Sequence, residues 1–286
     1  MNSTPQFYQE SNSTENTNLI IAIALNTIIA FVLGYLYSMV TTVNPFIYLN
    51  FLAALGSGMI IHRLTMEVFK ILKIRSKILR VAFVAATGFI VWVLQWLGTM
   101  QYLFNDSFLT PADYLISFEW LVDTESFFAN IELLFTDGYY ELFGIKVDGP
   151  VLLIIWLLEL IILIGYPVLI MMKQVVKPYS DKFNHWYPTL RLEKQFRVVT
   201  GAQNFVHELY SNPVEKIKDL SAGRGNSYSI VEIHYEARED FQYLSMLNIT
   251  YDKEKNSQEC EVVINNLKIS NEAAKQLLDT YDHEKV

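Results

Sequence analysis

Long apolar runs separated by short polar stretches dominate the first 172 residues of the chain. An α-helix rises about 1.5 Å per residue, so a run of about 20 apolar residues spans a hydrocarbon core of about 30 Å. The pattern therefore predicts four transmembrane helices, of which the second is short. The predicted spans cover residues 19–41, 46–62, 81–103 and 150–172.

The 18 residues before the first apolar run are polar, rich in Ser, Thr and Asn, and contain neither Lys nor Arg. A secretory signal peptide needs a positive segment before its apolar run and a small-residue cleavage site after it. The sequence shows neither feature. We therefore expect residues 1–18 to form a disordered tail and the first helix to be retained.

The pattern changes to shorter periods after the fourth apolar run. Pro178 ends the fourth helix, and the aromatic residues of the connector 178–188 suit the lipid headgroup region. Residues 189–286 predict a small α+β domain in the order ααβββα. Its first helix is expected over residues 189–210, and the Asn212-Pro213 pair is a typical start for the second.

Three stretches of that domain alternate apolar and polar residues, which is typical of β-strands with one buried face. Asn265 and Asn266 interrupt the third stretch and predict a β-bulge or a change in the phase of the alternation. Ser270 is expected to cap the final helix. The apolar positions that share a face within each strand are Val231, Ile233, Tyr235; Phe241, Tyr243, Leu247, Ile249, Tyr251; and Cys260, Val262, Ile264.

Charge is divided unevenly between the loops. Residues 63–80 contain six basic residues and one acid, whereas residues 104–149 contain nine acids and one lysine. Because basic loops stay in the cytoplasm, the 63–80 loop and both termini are expected there, in a bacterial-type inner (plasma) membrane. The expected fold class is an α-helical membrane protein with four transmembrane helices in residues 19–177 and a C-terminal cytoplasmic α+β domain in residues 189–286.

Basic residues beside the predicted spans have two interpretations. In one, they bind anionic lipid headgroups, and the 63–80 loop lies on the membrane as an amphipathic helix. In the other, the second and third helices extend past the membrane and the charges only set the orientation. The residues are Lys70, Lys73, Arg75, Lys77, Arg80, Lys173 and Lys177.

The predicted external segment, residues 104–149, is both acidic and rich in aromatic residues. Thr110-Pro111 predicts the start of one amphipathic helix, and Asp123 or Thr124 the start of a second. So much apolar area does not suit a solvated loop. The segment is expected to lie on the outer leaflet or to cap the helix bundle, or else to bind a partner.

Glu159 is the acid nearest the middle of a predicted span. An ionisable group at that depth marks a polar pathway, a proton site or an interhelical hydrogen bond. By depth, Gln95 and Asn50 are its nearest polar counterparts, and Asn26 lies at a similar distance on the inner side. These four residues form a predicted intramembrane polar cluster.

Small residues in the second and third spans, including Gly58 and Gly88, allow close helix packing within one chain or between chains. In a homo-oligomer, copies of the polar cluster would form a girdle around one axis. Pro167 is expected to kink the fourth helix.

Chemistry-bearing motifs are absent from the predicted C-terminal domain. The nearest approach to an anion-binding loop is Gly223, Arg224, Gly225 and Asn226, which is also an ordinary helix-to-strand turn. The single cysteine, Cys260, is expected to be a small buried apolar residue. The sequence thus predicts no enzyme, no metal or other cofactor, and no binding of a nucleic-acid polymer.

Four helices followed by a small cytoplasmic domain resemble, in layout and not in any motif, the membrane effectors of bacterial antiviral signalling systems. That resemblance implies a soluble domain that binds a cyclic nucleotide and a membrane domain that disturbs the bilayer. The hypothesis is a homo-oligomeric membrane effector or sensor whose cytoplasmic domain receives a ligand or protein partner. The alternative is a non-conducting scaffold or accessory subunit of a larger complex.

Overall fold

The chain divides into two compact units. The helical unit comprises residues 12–174, and the sheet unit comprises residues 1–11 together with residues 175–286. The structure is a computed structural model that describes residues 4–11, 14–43, 47–105, 110–138, 140–142, 145–174, 176–200, 202–223, 225–252 and 257–286.

Long apolar helices build the helical unit. Three helices within the described residues are long and apolar enough to cross a membrane: Asn16–Thr42, Lys77–Phe104 and Gly149–Lys173. The elements are α1 Asn16–Val43, α2 Ile47–Ile71, α3 Lys77–Asn105, α4 Pro111–Ile116, a 3-10 helix Ser117–Leu121, α5 Thr124–Asp137, the hairpin strands β1 Tyr140–Leu142 and β2 Ile145–Val147, and α6 Gly149–Lys173.

The second predicted span falls within α2, which is not among those three helices. Its second half carries Arg63, Glu67 and Lys70, and these charges interrupt the apolar run. The structure therefore shows a membrane-type helical unit with three membrane-length apolar helices, and a fourth crossing stays a prediction.

Glycines allow α2, α3 and α6 to approach closely around Leu163. A Cβ atom on Gly88 would lie 3.2 Å from the Leu163 carbonyl oxygen, and one on Gly58 would lie 3.3 Å from Pro167. Both small residues therefore serve packing within this chain. By contrast, a Cβ on Gly56 would meet no atom within 4 Å.

The segment after α3 packs against the bundle through Tyr114, which is 1% exposed. Its ring lies 5.4 Å from that of Phe31 and 5.1 Å from that of Tyr35, and its hydroxyl closely approaches Gly34. As predicted, Thr110 caps α4 and Asp123 caps α5. The segment therefore covers a groove between α1 and α3, which is the bundle-capping expectation.

A five-stranded antiparallel sheet in the order β8-β7-β6-β5-β9 forms the centre of the sheet unit. One face packs against three helices, with Val231 and Ile233 contributing to the core. The elements are the hairpin strands β3 Tyr179–Ser180 and β4 His185–Trp186, β5 Thr189–Leu192, α7 Ala202–Ser211, α8 Pro213–Lys218, β6 Ser227–His234, β7 Phe241–Asp252, β8 Ser257–Ser270, α9 Asn271–Thr280 and β9 His283–Lys285.

The three predicted strands are confirmed, as is the cap of α9 by Ser270. The register between β7 and β8 shifts around Asn266, which has a φ of 53°, so the predicted bulge is confirmed too.

The predicted helix over residues 189–210 is wrong in its first half. Residues Thr189–Leu192 form β5, which pairs with β6, and α7 begins only at Ala202. Leu190 lies opposite Ile233, so pairing with a residue 43 positions later overrides the local helical pattern. The short strand β9 was also not predicted. From β5 onward the order is βααβββαβ instead of ααβββα.

The N-terminal segment differs from the expected disordered tail, because residues 4–11 belong to the sheet unit. Phe7 lies opposite Leu267 of β8. Tyr8 donates its backbone N–H to the Asn266 carbonyl oxygen at 2.9 Å, and Lys268 donates to the Gln6 carbonyl oxygen at 2.8 Å. A polar segment without an apolar pattern thus gains order from an edge strand.

The connector also differs from the expectation of a headgroup-facing segment. Tyr179 and Tyr187 are buried within the sheet unit, and Tyr179 packs on Trp186 with ring centroids 5.0 Å apart. Arg238 donates to Glu236 at 2.8 Å, which, with a contact from His185 at 2.7 Å, lowers the pKa of Glu236 to about 2. These contacts hold the β3–β4 hairpin against the turn between β6 and β7.

Candidate functional site

Glu159 lies in the interior of the helical unit and is 1% exposed. It shares a buried stripe of α6 with Trp156 and Leu163. The ring of Trp156 packs edge-on against that of Trp96, with centroids 4.8 Å apart, and Leu163 contacts Gly88. Because α3 and α6 run antiparallel, Glu159, which lies between Trp156 and Leu163, is at the level of Trp92 of α3.

The Glu159 Oε1 atom has no hydrogen-bond partner among the described residues. The indole nitrogens of Trp92 and Trp156 lack partners there as well. These groups are complementary in kind, because the indole N–H groups can only donate a hydrogen bond whereas a carboxylate oxygen accepts one. We treat this level of the helical unit as the candidate polar site, since unsatisfied buried polar groups are costly.

Asn26 does not join Glu159 but ties three helices together. Its Oδ1 accepts a hydrogen bond from Thr65 of α2 at 2.9 Å and another from Thr87 of α3 at 3.5 Å. Asn26 is 4% exposed, so these are interior interhelical bonds of the kind that stabilises helix packing.

Gln95 faces α1. Its Nε2 donates to Thr41 at 3.2 Å and to Thr99 at 2.8 Å, whereas its Oε1 has no partner among the described residues. Asn50 is fully buried in α2. No hydrogen bond joins Glu159 to Gln95 in the described part of the chain, so the predicted cluster divides into separate polar contacts.

The basic residues between α2 and α3 lie at helix ends and in a tight turn. Ile74 donates its N–H to the Phe69 carbonyl oxygen at 3.0 Å, and Lys73 has a φ of 55°, which is the Schellman ending of a helix. Only residues 72–76 separate the two helices, so the described chain has no surface helix there. The predicted basic residues Lys70, Arg75, Lys77 and Arg80 therefore belong to helix ends or to this turn.

The other two basic residues follow α6. Lys173 is the last residue of α6 and is exposed, whereas Lys177 is half-buried in the sheet unit.

The described residues of the predicted anion loop make backbone contacts within the sheet unit. Gly223 donates its N–H to the Gln195 carbonyl oxygen at 2.9 Å, and a Cβ there would lie 2.5 Å from the Phe196 carbonyl oxygen. Gly225 has a φ of 83°, and the Asn226 carbonyl accepts from Tyr251. Arg224 lies outside the described residues.

Sequence reasoning missed a junction in the sheet unit centred on Asn266, which is 2% exposed. Its Nδ2 donates to the Val176 carbonyl oxygen at 2.6 Å, and its own carbonyl accepts from Tyr8. Tyr8 also accepts a hydrogen bond from the Tyr179 N–H and packs its ring on Tyr243. The bulge thus binds both the segment before α1 and the segment after α6.

A chain of buried polar side chains runs from that junction along the sheet. Ser245 donates to Asn266 Oδ1 at 3.1 Å, His234 Nε2 contacts Ser245 at 3.3 Å, and Thr189 contacts His234 Nδ1 at 3.0 Å. Burial, assisted by the charge of Lys177, lowers the pKa of His234 to about 4. The imidazole is therefore neutral at physiological pH, with Nε2 as the donor to Ser245.

Cys260 is exposed, so the expectation that it is buried is wrong. Residues 258–262 of β8 are all exposed, and among the described residues no helix packs on the face of the sheet that carries Cys260. Cys260 instead lines a half-open cavity of about 370 Å³ beside Arg191, Glu232 and Glu284. The described residues hold no group of three His, Cys, Asp or Glu side chains arranged for a metal ion.

Comparisons with known protein families, with characterised proteins and with solved structures return no match. The class of protein is therefore defined by the fold alone. The chain combines three membrane-length apolar helices with a C-terminal domain built on a five-stranded sheet.

Proposed function

We propose that the chain is a four-span membrane sensor or effector. Its sheet unit lies in the cytoplasm, receives a ligand or protein partner, and signals to a homo-oligomeric helical bundle. The single observation that carries the proposal is the junction at Asn266, where one bulge binds the segments that lead into α1 and out of α6.

Parity supports four crossings. Residues 4–11 and 176–286 belong to one folded unit, so both must lie on the same side of a membrane. The chain between them must then cross an even number of times. Three helices are membrane-length and apolar, and α2 is the remaining long helix that supplies the fourth crossing.

Few residues separate the junction from the two helices along the chain. Tyr8 precedes the first residue of α1, Asn16, by eight positions, and Val176 follows the last residue of α6, Lys173, by three. A shift of β8 at the bulge would therefore displace the chain segments that lead into α1 and out of α6. Coupling between a ligand site and the helical bundle requires an element with two conformations whose equilibrium both can shift. The junction at Asn266 is the proposed element.

Glu159 supports a responsive bundle. A buried acid with an unsatisfied oxygen is costly for a purely structural helix, and such residues mark ion or proton pathways in membranes. In a homo-oligomer, one Glu159 from each copy would line or border the shared interface.

The test compares Asn266→Gly with Asn265→Gly in the full chain. Glycine keeps the positive φ at position 266 and removes the side-chain bonds to Val176 and Ser245, whereas Asn265 is exposed and makes a matched control. In liposomes, Asn266→Gly should raise amide exchange of residues 6–8 and 176–180 by about tenfold. Ion permeability should change with it, and Asn265→Gly should alter neither.

The outcomes separate the two function classes. Faster exchange together with altered permeability supports the sensor or effector. Faster exchange in a protein that never conducts supports the non-conducting scaffold. Unchanged exchange in Asn266→Gly would show that the junction does not hold the two segments, and the coupling proposal would fail.

A further inference from the structure

The face of the sheet opposite α7, α8 and α9, here called the open face, carries Tyr228, Ile230, Glu232 and His234 of β6. The part of the open face around His234 is covered by the N-terminal segment and the connector, whose Tyr8 and Tyr187 pack on Tyr243. The part around Tyr228 and Ile230 has no cover among the described residues and forms the cavity of about 370 Å³. That volume lies within the range of small-molecule sites in proteins.

The floor of the cavity is apolar. Tyr228 pairs with Ile249, and Ile230 pairs with Leu247, which places four apolar side chains side by side. Cys260 lies opposite Ile249 on β8 and completes the floor. A flat aromatic or aliphatic body would bury apolar surface there, and Tyr228 offers a ring face to a cation.

The rim of the cavity is acidic. It carries Glu193, Glu232 and Glu284 against one base, Arg191. Arg191 already donates to Glu232 from Nη2 at 2.7 Å and from Nε at 3.2 Å, and its Nη1 lies 3.9 Å from Glu284. The arginine is therefore engaged, and the rim repels an anion such as a nucleotide.

We propose that this cavity binds a small amphipathic cation. Its apolar body would rest on Tyr228 and Ile230, and its ammonium or guanidinium group would lie at Glu193 and Glu284. The inference rests on the sensor role proposed above and supplies the ligand class of that role. It replaces the cyclic nucleotide that the layout of the chain had implied.

The cavity is continuous with the polar chain that ends at Asn266. Glu232 lies two positions before His234 on β6, and Leu247 lies two positions after Ser245 on β7. A ligand that moves these strands would act on the next residue pair, which belongs to the His234–Ser245–Asn266 chain. The cavity residues and the polar residues that lead to Asn266 are thus two positions apart on both β6 and β7.

Cys260 provides a built-in reporter because the chain has one cysteine. The full chain in nanodiscs is labelled with monobromobimane in the presence of three probes of matched size. These are phenethylamine, which is a cation, phenethyl alcohol, which is neutral, and 3-phenylpropanoate, which is an anion. Phenethylamine should slow labelling most strongly, and a cyclic dinucleotide should not slow it.

Variants test the charge. Replacing both Glu193 and Glu284 by Gln should raise the phenethylamine concentration for half-protection about tenfold, since it removes both carboxylates that would pair with the ammonium group. Glu259→Gln removes a charge next to Cys260 that does not line the cavity, so it should leave protection unchanged. Equal protection by the anion, or protection that survives the double substitution, would overturn the cation site.

Permeability of liposomes that contain the same protein, measured with the same probes, separates this inference from the function it deepens. Protection of Cys260 without any change in permeability keeps the site and removes the sensor role. Absence of protection by every probe, with Asn266→Gly still altering permeability, removes the site and keeps the coupling.

Discussion

A single buried oxygen atom without a hydrogen bond lowers the stability of the helical unit. Glu159 Oε1 lies in an apolar interior with no partner among the described residues. An unsatisfied buried polar group costs about 1–3 kcal/mol. A residue that destabilises its own fold is expected where it serves an activity or meets a second copy of the chain.

Replacing Glu159 distinguishes these two roles. Glu159→Leu should raise the free energy of unfolding in detergent micelles by about 1–3 kcal/mol, because it removes the unsatisfied group. It should also abolish any ion permeability, as should the near-isosteric Glu159→Gln. Thermal unfolding and liposome flux measure the two effects. Loss of stability or of assembly in Glu159→Leu would instead reveal a hydrogen-bond partner on a neighbouring subunit.

Residue-scale prediction succeeded where the signal was local. The depth of Glu159 and Asn26 within apolar runs already indicated buried polar groups, and both are buried. Asn266 was recognised only as a bulge, because its partners Tyr8 and Val176 lie 258 and 90 positions away. Nothing in the neighbouring sequence carries that information.

At the scale of the helices, a glycine allows close packing only where it faces another helix. A Cβ on Gly34 of α1 would lie 2.6 Å from Leu94 Cβ and 2.8 Å from the Tyr114 hydroxyl. A Cβ on Gly56 of α2 would meet nothing within 4 Å. The two positions have the same residue type and opposite surroundings.

A matched pair of substitutions tests this packing. Gly34→Leu should destabilise the helical unit by about 1–3 kcal/mol, since it forces α3 and α4 away from α1. Gly56→Leu should change stability little. Thermal unfolding in micelles reports the difference, and tryptophan fluorescence reports displacement of Trp120, which bonds Gln101. Equal stability of the two variants would show that α4 does not pack in that groove.

Element-scale prediction failed where pairing partners are distant. The caps at Thr110, Asp123 and Ser270 depend on neighbouring residues and were predicted. Strand β5 has only four residues, and its identity depends on β6 and β9, which no local pattern reveals. The open face was missed because alternation shows that a strand has two faces but not which one a helix covers.

At the scale of the whole molecule, the shared sheet unit fixes a topological relationship. Its N-terminal segment and its C-terminal strands must stay on one side of any bilayer. The basic residues of the 63–80 loop predict that this side is the cytoplasm. Hydrogen bonding thus indicates that both segments share one side, and charge predicts which side it is.

Tags test that orientation directly. Epitopes at residues 1 and 286 should be protected from protease added to intact cells, and an epitope inserted after Gly138 should be cut. Permeabilised cells supply the control, in which all three should be accessible. Cutting at only one terminus in intact cells would mean an odd number of crossings, and α2 would then lie outside the membrane.

Pairing of the first ordered segment with one of the last strands also dictates an order of biosynthesis. Phe7 and Leu267 lie 260 positions apart, so the N-terminal segment leaves the ribosome long before its partner strand exists. Every apolar helix must be made, and the chain threaded through the bilayer, before the two can meet. Pairing over so long a separation is intrinsically slow. The sheet unit is thus completed only after β8, near the end of the chain, has been synthesised.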